Sequence, residues 1–408
     1  MYYVVTPKSI VSKGKLMKYI PQFRTLALVM SLLCSSFTVA QSDFDECRND
    51  WISKSDSDFA NACAGMAFQA DLEVRQELAW MFFARVNQLI SDKNGVSHQK
   101  QVPQWMAWAT DNDTFSYFPN FEFNEKNRSD LITVTSKEVL VGDVKRDESG
   151  EAFEEVFRNH TSYEYITKTA KLNTKLGVLG YIKSGNRVDM PVGTVELKSS
   201  WLKVHPGSAP EGALTFEFDS GTYWWRGMHI MAKMQSLPSD SNPFYTDDPS
   251  WFWTTFQFTD TPRLANVRNH LTTQNSPLPF KKVKTILQES GISGFGFEAY
   301  TPNGTQVGFT TGSEDKAPVL LGHVDMESFA GSPNAAQPRY WKDFNSSCHS
   351  CHATASINPE TETFFPVSNA IGALTPQYFS RTKGGFNRYL GAGFVPLDFM
   401  WPITFHAK

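Results

Sequence analysis

The chain has 408 residues, a formal net charge of −4 at neutral pH and an aromatic content of 14%. This weakly acidic balance excludes the basic surfaces that bind nucleic acid or anionic membranes, so neither is expected as a partner. The length allows two or three domains, and the 32 Phe and 11 Trp predict a core dominated by large flat side chains.

Residues 1–40 have the three parts of a secretory signal peptide. A basic segment ending at Arg24 precedes an apolar run, and small residues lead up to Ala40. The apolar run is too short to span a membrane comfortably. We therefore expect cleavage after Ala40 to remove Cys34, leaving a mature periplasmic protein that starts at Gln41 and has no transmembrane anchor.

The mature amino terminus, residues 41–110, is predicted to be a helical unit. Cys47 and Cys63 are the first two of the four cysteines that remain after cleavage, and an oxidising compartment predicts a disulfide between them. Such a loop would stabilise the fold by about 3 kcal/mol. Apolar residues at helical spacing predict a helix over Asp71–Ile90, closed by Gly95.

Residues 111–303 are predicted to form a β-rich, mostly antiparallel domain. Short segments rich in β-formers alternate there with Pro and Gly clusters. The predicted strands are Leu131–Thr135, Lys175–Ile182, Gly193–Val204, Ala213–Phe218, Tyr223–Met234 and Trp251–Phe258. The segment Ile182–Val188 contains Gly-Asn and predicts a hairpin loop, because these residues accept the positive φ angles of tight turns.

Several polar residues lie beside the aromatic strands. They are Glu196, Lys198, Arg226, His229 and Lys233. In an enzyme, such residues would supply acid, base and electrostatic groups. The alternative is a solvated face of the sheet, which the general habits of charged residues favour.

Residues 304–408 contain the feature that points most directly to a function. Cys348, Cys351 and His352 form a C-x-x-C-H pattern, the attachment signature of c-type haem. Two thiols one helical turn apart bond to the two vinyl groups of one haem, and the adjacent histidine becomes the proximal iron ligand. A thioredoxin-like motif would follow a strand, and a zinc site would need a second ligand pair, which the sequence lacks.

The surroundings of the motif carry further predictions. Trp341–Ser347 is expected to enter the haem helix and Ala353–Ser356 to continue it, while the glycines at 384, 385, 391 and 393 are expected to form loops near the porphyrin. Met400 is the only Met after the motif and is our first candidate for the distal iron ligand. His229 or a neighbouring Met is the second candidate, and an open position is the third.

Four segments together resemble a family of exported bacterial cytochrome c family proteins with one C-x-x-C-H near the carboxyl terminus. They are Met190–Trp201, Arg226–Lys233, Trp251–Phe256 and the haem motif. Similar proteins tend to read W-x-T-F-E-H in the third segment, whereas this chain has Gln257 and Phe258. The resemblance therefore transfers only Cys348, Cys351 and His352, as haem-binding residues, and it implies no substrate.

The sequence thus predicts an α+β protein with a helical amino-terminal unit, a β-rich antiparallel central domain and a mainly helical and loop-containing haem domain. We expect one covalently attached haem c and a role in electron transfer with redox partner proteins of the periplasm. One alternative is a haem-dependent oxidase, peroxidase or dehydrogenase that acts on a small or aromatic substrate. Another is a haem-based sensor of a ligand or of redox state.

Overall fold

The computed structural model describes residues 44–91, 101–121, 123, 152–218, 221–236, 250–260, 278–307, 323, 348–365 and 393–407. All structural statements below refer to these ranges. Several sequence predictions lie outside them, namely the signal peptide at 1–40, the strand Leu131–Thr135, the segment Trp341–Ser347 and the glycines 384, 385 and 391.

The amino-terminal part is helical, as predicted. Its helices are α1 (Asp56–Ala62), α2 (Ala64–Phe68) and α3 (Leu72–Val86). Helix α3 begins where Asp71 caps it, because the Asp71 carboxylate accepts a hydrogen bond from the Val74 amide at 3.0 Å. The sulfurs of Cys47 and Cys63 are 2.01 Å apart, so the disulfide predicted from the sequence joins the start of the described chain to the end of α1.

The predicted end of the long helix is wrong. Helix α3 stops at Val86, where the Asn87 side-chain amide donates to the Phe83 carbonyl at 2.9 Å and satisfies a terminal acceptor. The chain then forms the hairpin of β1 (Leu89–Ser91) and β2 (Gln101–Pro103). The apolar residues of this strand continue the helical spacing by chance, which extended the prediction beyond the cap.

The centre of the fold is a seven-stranded antiparallel sheet. Its strands are β3 (Ala109–Thr110), β4 (Ala152–Arg158), β5 (Val195–Val204), β6 (Thr215–Phe218), β7 (Gly221–Lys233), β8 (Trp251–Phe258) and β9 (Tyr300–Gln306). The order is β3-β4-β5-β7-β8-β9, with β6 also paired to β7. The predicted strands that end at 204, 218, 234 and 258 all appear, so the α+β class with an antiparallel sheet is confirmed.

One face of the sheet packs against α3 and against α7 (Phe280–Glu289). Stacked rings make this contact, with Phe83 and Phe256 only 4.1 Å apart between centroids and Phe82 and Phe252 5.5 Å apart. Burying one such side chain contributes about 1.5–3 kcal/mol. Strand β8 is buried along its whole length because both faces of the sheet are covered there.

The opposite face of the sheet carries Met231, Trp251 and Trp253, and we call it the motif face. These three residues belong to one apolar cluster with Cys348 and Met400. The same side is covered by α4 (Asp111–Thr114), α5 (His160–Glu164) and α6 (Lys175–Lys183). The C-x-x-C-H motif is therefore packed on the β-sheet.

Two predictions for residues 175–188 are wrong. Lys175–Ile182 is not a strand but most of α6, which Thr174 caps by accepting from the Gly177 amide at 3.1 Å. The two glycines of this helix lowered its apparent helix propensity. Gly177 has to be glycine, because a Cβ there would lie 1.9 Å from the Lys171 carbonyl oxygen. The predicted hairpin at Ile182–Val188 is instead the end of α6 and the turn after it.

The described carboxyl-terminal part is compact around the motif. Its elements are α8 (Cys348–His352), β10 (Ser356–Asn358), β11 (Thr363–Phe364), β12 (Val395–Pro396) and α9 (Trp401–His406). The predicted continuation of the haem helix through Ser356 is wrong, because β10 pairs there with β11 and β12. The Leu397 amide also donates to the Ala355 carbonyl at 2.9 Å, and this bond helps to hold the backbone after His352 in an extended conformation.

Candidate functional site

The C-x-x-C-H residues form a single helical turn on the motif face. Helix α8 contains only these five residues, and Cys348 is 8% exposed. One turn of helix places residues 348 and 351 on the same side, which is the spacing that two thioether bonds to one haem require. The backbone geometry of α8 therefore fits covalent haem attachment.

His352 has its ring orientation determined by a backbone carbonyl. Its Nδ1 lies 2.8 Å from the Phe399 carbonyl oxygen, and since a carbonyl can only accept, Nδ1 must carry the proton. The neutral imidazole then has its lone pair on Nε2, which is the nitrogen through which such a histidine binds a metal. The Trp253 ring lies 4.6 Å from the His352 ring between centroids and covers it with an apolar surface.

His349, the residue after the first cysteine, connects the motif to the sheet. Its backbone amide donates to the Gln306 side chain of β9 at 3.1 Å, and its ring lies 4.6 Å from that of Phe399. Burial, together with the neighbouring His352, lowers the pKa of His349 to about 3. His349 is therefore neutral at physiological pH and adds no positive charge beside the motif.

Met400 lies close to the motif and directly follows Phe399, the residue whose carbonyl contacts His352. It is fully buried in the apolar cluster that contains Cys348, and it precedes α9. The carbonyl that accepts from His352 Nδ1 belongs to the preceding residue, Phe399. The backbone leading to Met400 therefore lies on the Nδ1 side of the His352 ring, whereas a metal would be held by Nε2. Ligation by Met400 would require this turn to rearrange.

Of the five polar candidates on the sheet, two are buried in ion pairs rather than solvated. Glu196 is 2% exposed, and its pKa is raised because burial outweighs the attraction of Arg158. Lys233 is 6% exposed, and its Nζ is 2.8 Å from an oxygen of Asp398. Burial alone would lower the pKa of Lys233, but Asp398 and Asp189 outweigh it and the pKa is raised. The solvated-face interpretation is therefore wrong for both residues.

The other three polar candidates lie in a basic region of the motif face. Lys198 forms an ion pair with Glu154 at 2.6 Å, and the guanidinium of Arg226 lies 5.4 Å from the centre of the Trp224 ring. His229 Nδ1 lies 2.6 Å from the Thr255 hydroxyl.

The ring of His323, which the sequence did not single out, lies 5.8 Å from that of His229. Burial, together with the nearby His229, Arg226 and Lys198, lowers the pKa of His323 well below its usual range. The structure therefore brings four basic side chains together here, and His323 is neutral among them.

A buried ion network joins the carboxyl-terminal helix to the sheet, and sequence reasoning missed it. Arg158 is fully buried and binds Asp111 at 2.6 Å and Glu196 at 3.1 Å. His406 of α9 lies 3.1 Å from the other oxygen of Asp111, and the Ser162 hydroxyl donates to Glu196 at 2.6 Å. No local sequence pattern predicts this network, because its members come from separate segments of the chain.

Within the ranges that the structure describes, no three His, Cys, Asp or Glu side chains converge as a metal site of their own. No helix among the described residues is long and apolar enough to cross a membrane.

Comparison of the chain with protein-family models, with curated proteins and with solved structures finds no match. The resemblance to exported cytochrome c family proteins therefore stays a prediction from the motifs alone. What the site can do has to follow from its own residues. The helical spacing of the cysteines, the Nδ1 proton of His352 and the aromatic ring of Trp253 all fit a covalently attached haem.

Proposed function

We propose that this protein is a periplasmic monohaem c-type cytochrome that acts in electron transfer. The observation that carries the proposal is the hydrogen bond between His352 Nδ1 and the Phe399 carbonyl, on a helix formed by the C-x-x-C-H residues. It prepares Nε2 to bind iron, and second-sphere bonds of this kind orient the histidine ligands of metal sites.

The haem, when attached, would supply a one-electron couple between ferric and ferrous iron. Cys348 and Cys351 would hold it, and His352 would be the proximal ligand. Trp253 and Phe399 place apolar rings beside His352 and His349. Apolar surface around a haem would favour the ferrous state, because the smaller net charge of that state is better tolerated in an apolar environment. Redox partner proteins in the periplasm would donate and accept the electron.

The basic region of the motif face supports a second candidate, a haem-dependent oxidoreductase or a haem-based sensor. His229 and His323 face each other at 5.8 Å on the sheet side that also carries the motif. The neutral ring of His323 has too low a pKa to serve as a base, but it can hydrogen-bond a small bound molecule. An electron carrier does not need such a group of polar side chains, whereas a protein that binds a substrate or ligand beside the haem would use it.

The first experiment tests whether haem is covalently bound to the chain. We expect acid-acetone to leave haem on the denatured chain, and the double variant Cys348→Ala with Cys351→Ala to yield no stable holoprotein when expressed with a haem-attachment system. The matched control is Cys47→Ala with Cys63→Ala, which removes the other cysteine pair and should keep the haem. Haem that is extracted from the unmodified protein would overturn the proposal.

Carbon monoxide separates the two candidate functions. A carrier has a six-coordinate iron whose reduced absorption spectrum does not change with carbon monoxide. An oxidoreductase or sensor has an open or easily displaced position, so its reduced spectrum shifts when the gas is added. We expect no shift, and a shift in the unmodified protein would favour the second candidate.

A further inference from the structure

The turn between β12 and α9 is held in an unfavourable backbone conformation. Asp398 has a φ of 48° and Phe399 a φ of 66°, so two consecutive non-glycine residues are in the left-handed region. L-residues rarely adopt this region, and a bulky residue such as Phe does so only where surrounding contacts hold it. Something outside the turn therefore has to fix it.

The contacts that fix the turn come from the sheet. One carboxylate oxygen of Asp398 lies 2.8 Å from Lys233 Nζ and also accepts from the Met190 amide at 2.6 Å. The other oxygen accepts from the Trp251 indole at 3.0 Å. The side chains of Lys233 and Asp398 are only 8% and 10% exposed, so solvent does not screen this ion pair.

The same turn orients the motif histidine. Phe399 directly follows Asp398, and its carbonyl oxygen is the acceptor for His352 Nδ1 at 2.8 Å. The direction of that carbonyl depends on the backbone angles that the Asp398 anchor maintains. A chain of contacts thus leads from Lys233 in β7, through Asp398 and Phe399, to His352.

We infer that Lys233 and Asp398 are positioning residues, which hold the Phe399 carbonyl against His352 and so tune the reduction potential of the haem iron. This inference rests on the proposed haem attachment. A firm hydrogen bond at Nδ1 makes the histidine a more basic ligand, which stabilises ferric iron and lowers the potential. Loosening the turn should weaken that bond and raise the potential.

Two substitutions with opposite charge changes isolate this effect. Asp398→Asn removes a negative charge but keeps a residue that tolerates the left-handed region. Lys233→Gln removes a positive charge from the same pair. Direct electrostatics would raise the potential in the first variant and lower it in the second, whereas a loosened turn raises it in both. Trp251→Phe removes one hydrogen bond without changing charge, and we expect a smaller rise.

The measurement is a spectroelectrochemical titration of each purified holoprotein. The matched control is Glu362→Gln, which breaks the ion pair with Lys183 in the segment after the motif but does not touch the turn. We expect its potential to equal that of the unmodified protein. If a charge variant is not recovered as holoprotein, the direction of the potential shift in the neutral variant Trp251→Phe decides the test.

The outcomes separate the two proposals. Opposite shifts in Asp398→Asn and Lys233→Gln, or unchanged potentials in variants that carry covalent haem, would overturn the inference and leave the cytochrome proposal intact. Absence of covalently attached haem from the unmodified protein would overturn the cytochrome proposal itself.

Discussion

Replacing Arg158 by methionine should be among the most damaging single changes to this fold. The guanidinium is fully buried and binds Asp111 and Glu196 at 2.6 and 3.1 Å, with the Thr114 hydroxyl at 3.0 Å. Methionine fills much of the same volume but leaves two carboxylates close together with no cation between them. Removing one partner of a buried ion pair costs about 3–5 kcal/mol, because the remaining charge stays desolvated.

The stability of Arg158→Met should also depend on pH differently from that of the unmodified protein. Arg158 and His406 outweigh burial and hold the pKa of Asp111 below its ordinary value, so the folded state binds a proton there less readily than the unfolded chain. A lowered pKa contributes stability above the unfolded value, about 3.9, and that contribution is lost as the pH falls below it. In Arg158→Met, burial instead favours protonated carboxyls, so acid should destabilise the variant less than the unmodified protein.

Urea unfolding at pH 7 and at about pH 3 tests both parts. With a slope of about 2–3 kcal/mol/M, the loss should lower the midpoint at pH 7 by about 1–2.5 M, and the difference between the two midpoints should become smaller in acid. Arg48→Met is the matched control, since Arg48 pairs with Glu77 at 2.6 Å on the partly exposed surface. It should cost less than about 1 kcal/mol. Equal losses in both variants, or a gap that does not narrow, would refute the reasoning.

Three further predictions address other parts of the chain. Mass spectrometry of the mature protein should find Cys47 and Cys63 two hydrogens lighter than free thiols, and removing the pair should cost about 3 kcal/mol; two free thiols in protein purified without reductant would contradict the pairing. Met400→Ala should leave the visible spectrum of the oxidised protein unchanged and cost about 2–5 kcal/mol through the cavity it creates, whereas loss of a long-wavelength charge-transfer band would assign Met400 to the iron. Gly227→Ala should lower the urea midpoint strongly, because the φ of Gly227 is 137° and a Cβ there would lie 2.1 Å from the Phe256 carbonyl oxygen of β8. An unchanged midpoint would contradict this prediction, because it would mean that the two strands move apart at little cost.

Local patterns in the sequence determined the elements that depend on neighbours in the chain. The strand Trp251–Phe258 and the cap of α3 at Asp71 follow from β-formers and from a side chain that satisfies a nearby amide. The spacing of Cys348, Cys351 and His352 needs only one turn of helix, so it could be recognised without tertiary structure. The disulfide partners followed from elimination among few cysteines. Each of these signals is short in range, so it can be recognised without knowing which distant residues pack against it.

Only the tertiary structure decided which groups meet across long separations. Nothing near Lys233 in the sequence indicates that it binds Asp398, and a backbone carbonyl such as that of Phe399 has no side-chain signature at all. The strand predicted at Lys175–Ile182 failed for another reason, since the close approach of the Lys171 carbonyl required the glycine at 177 that made the helix look weak. Such contacts arise from the packing of whole elements, whose energies are summed over many residues and are not encoded at any one position.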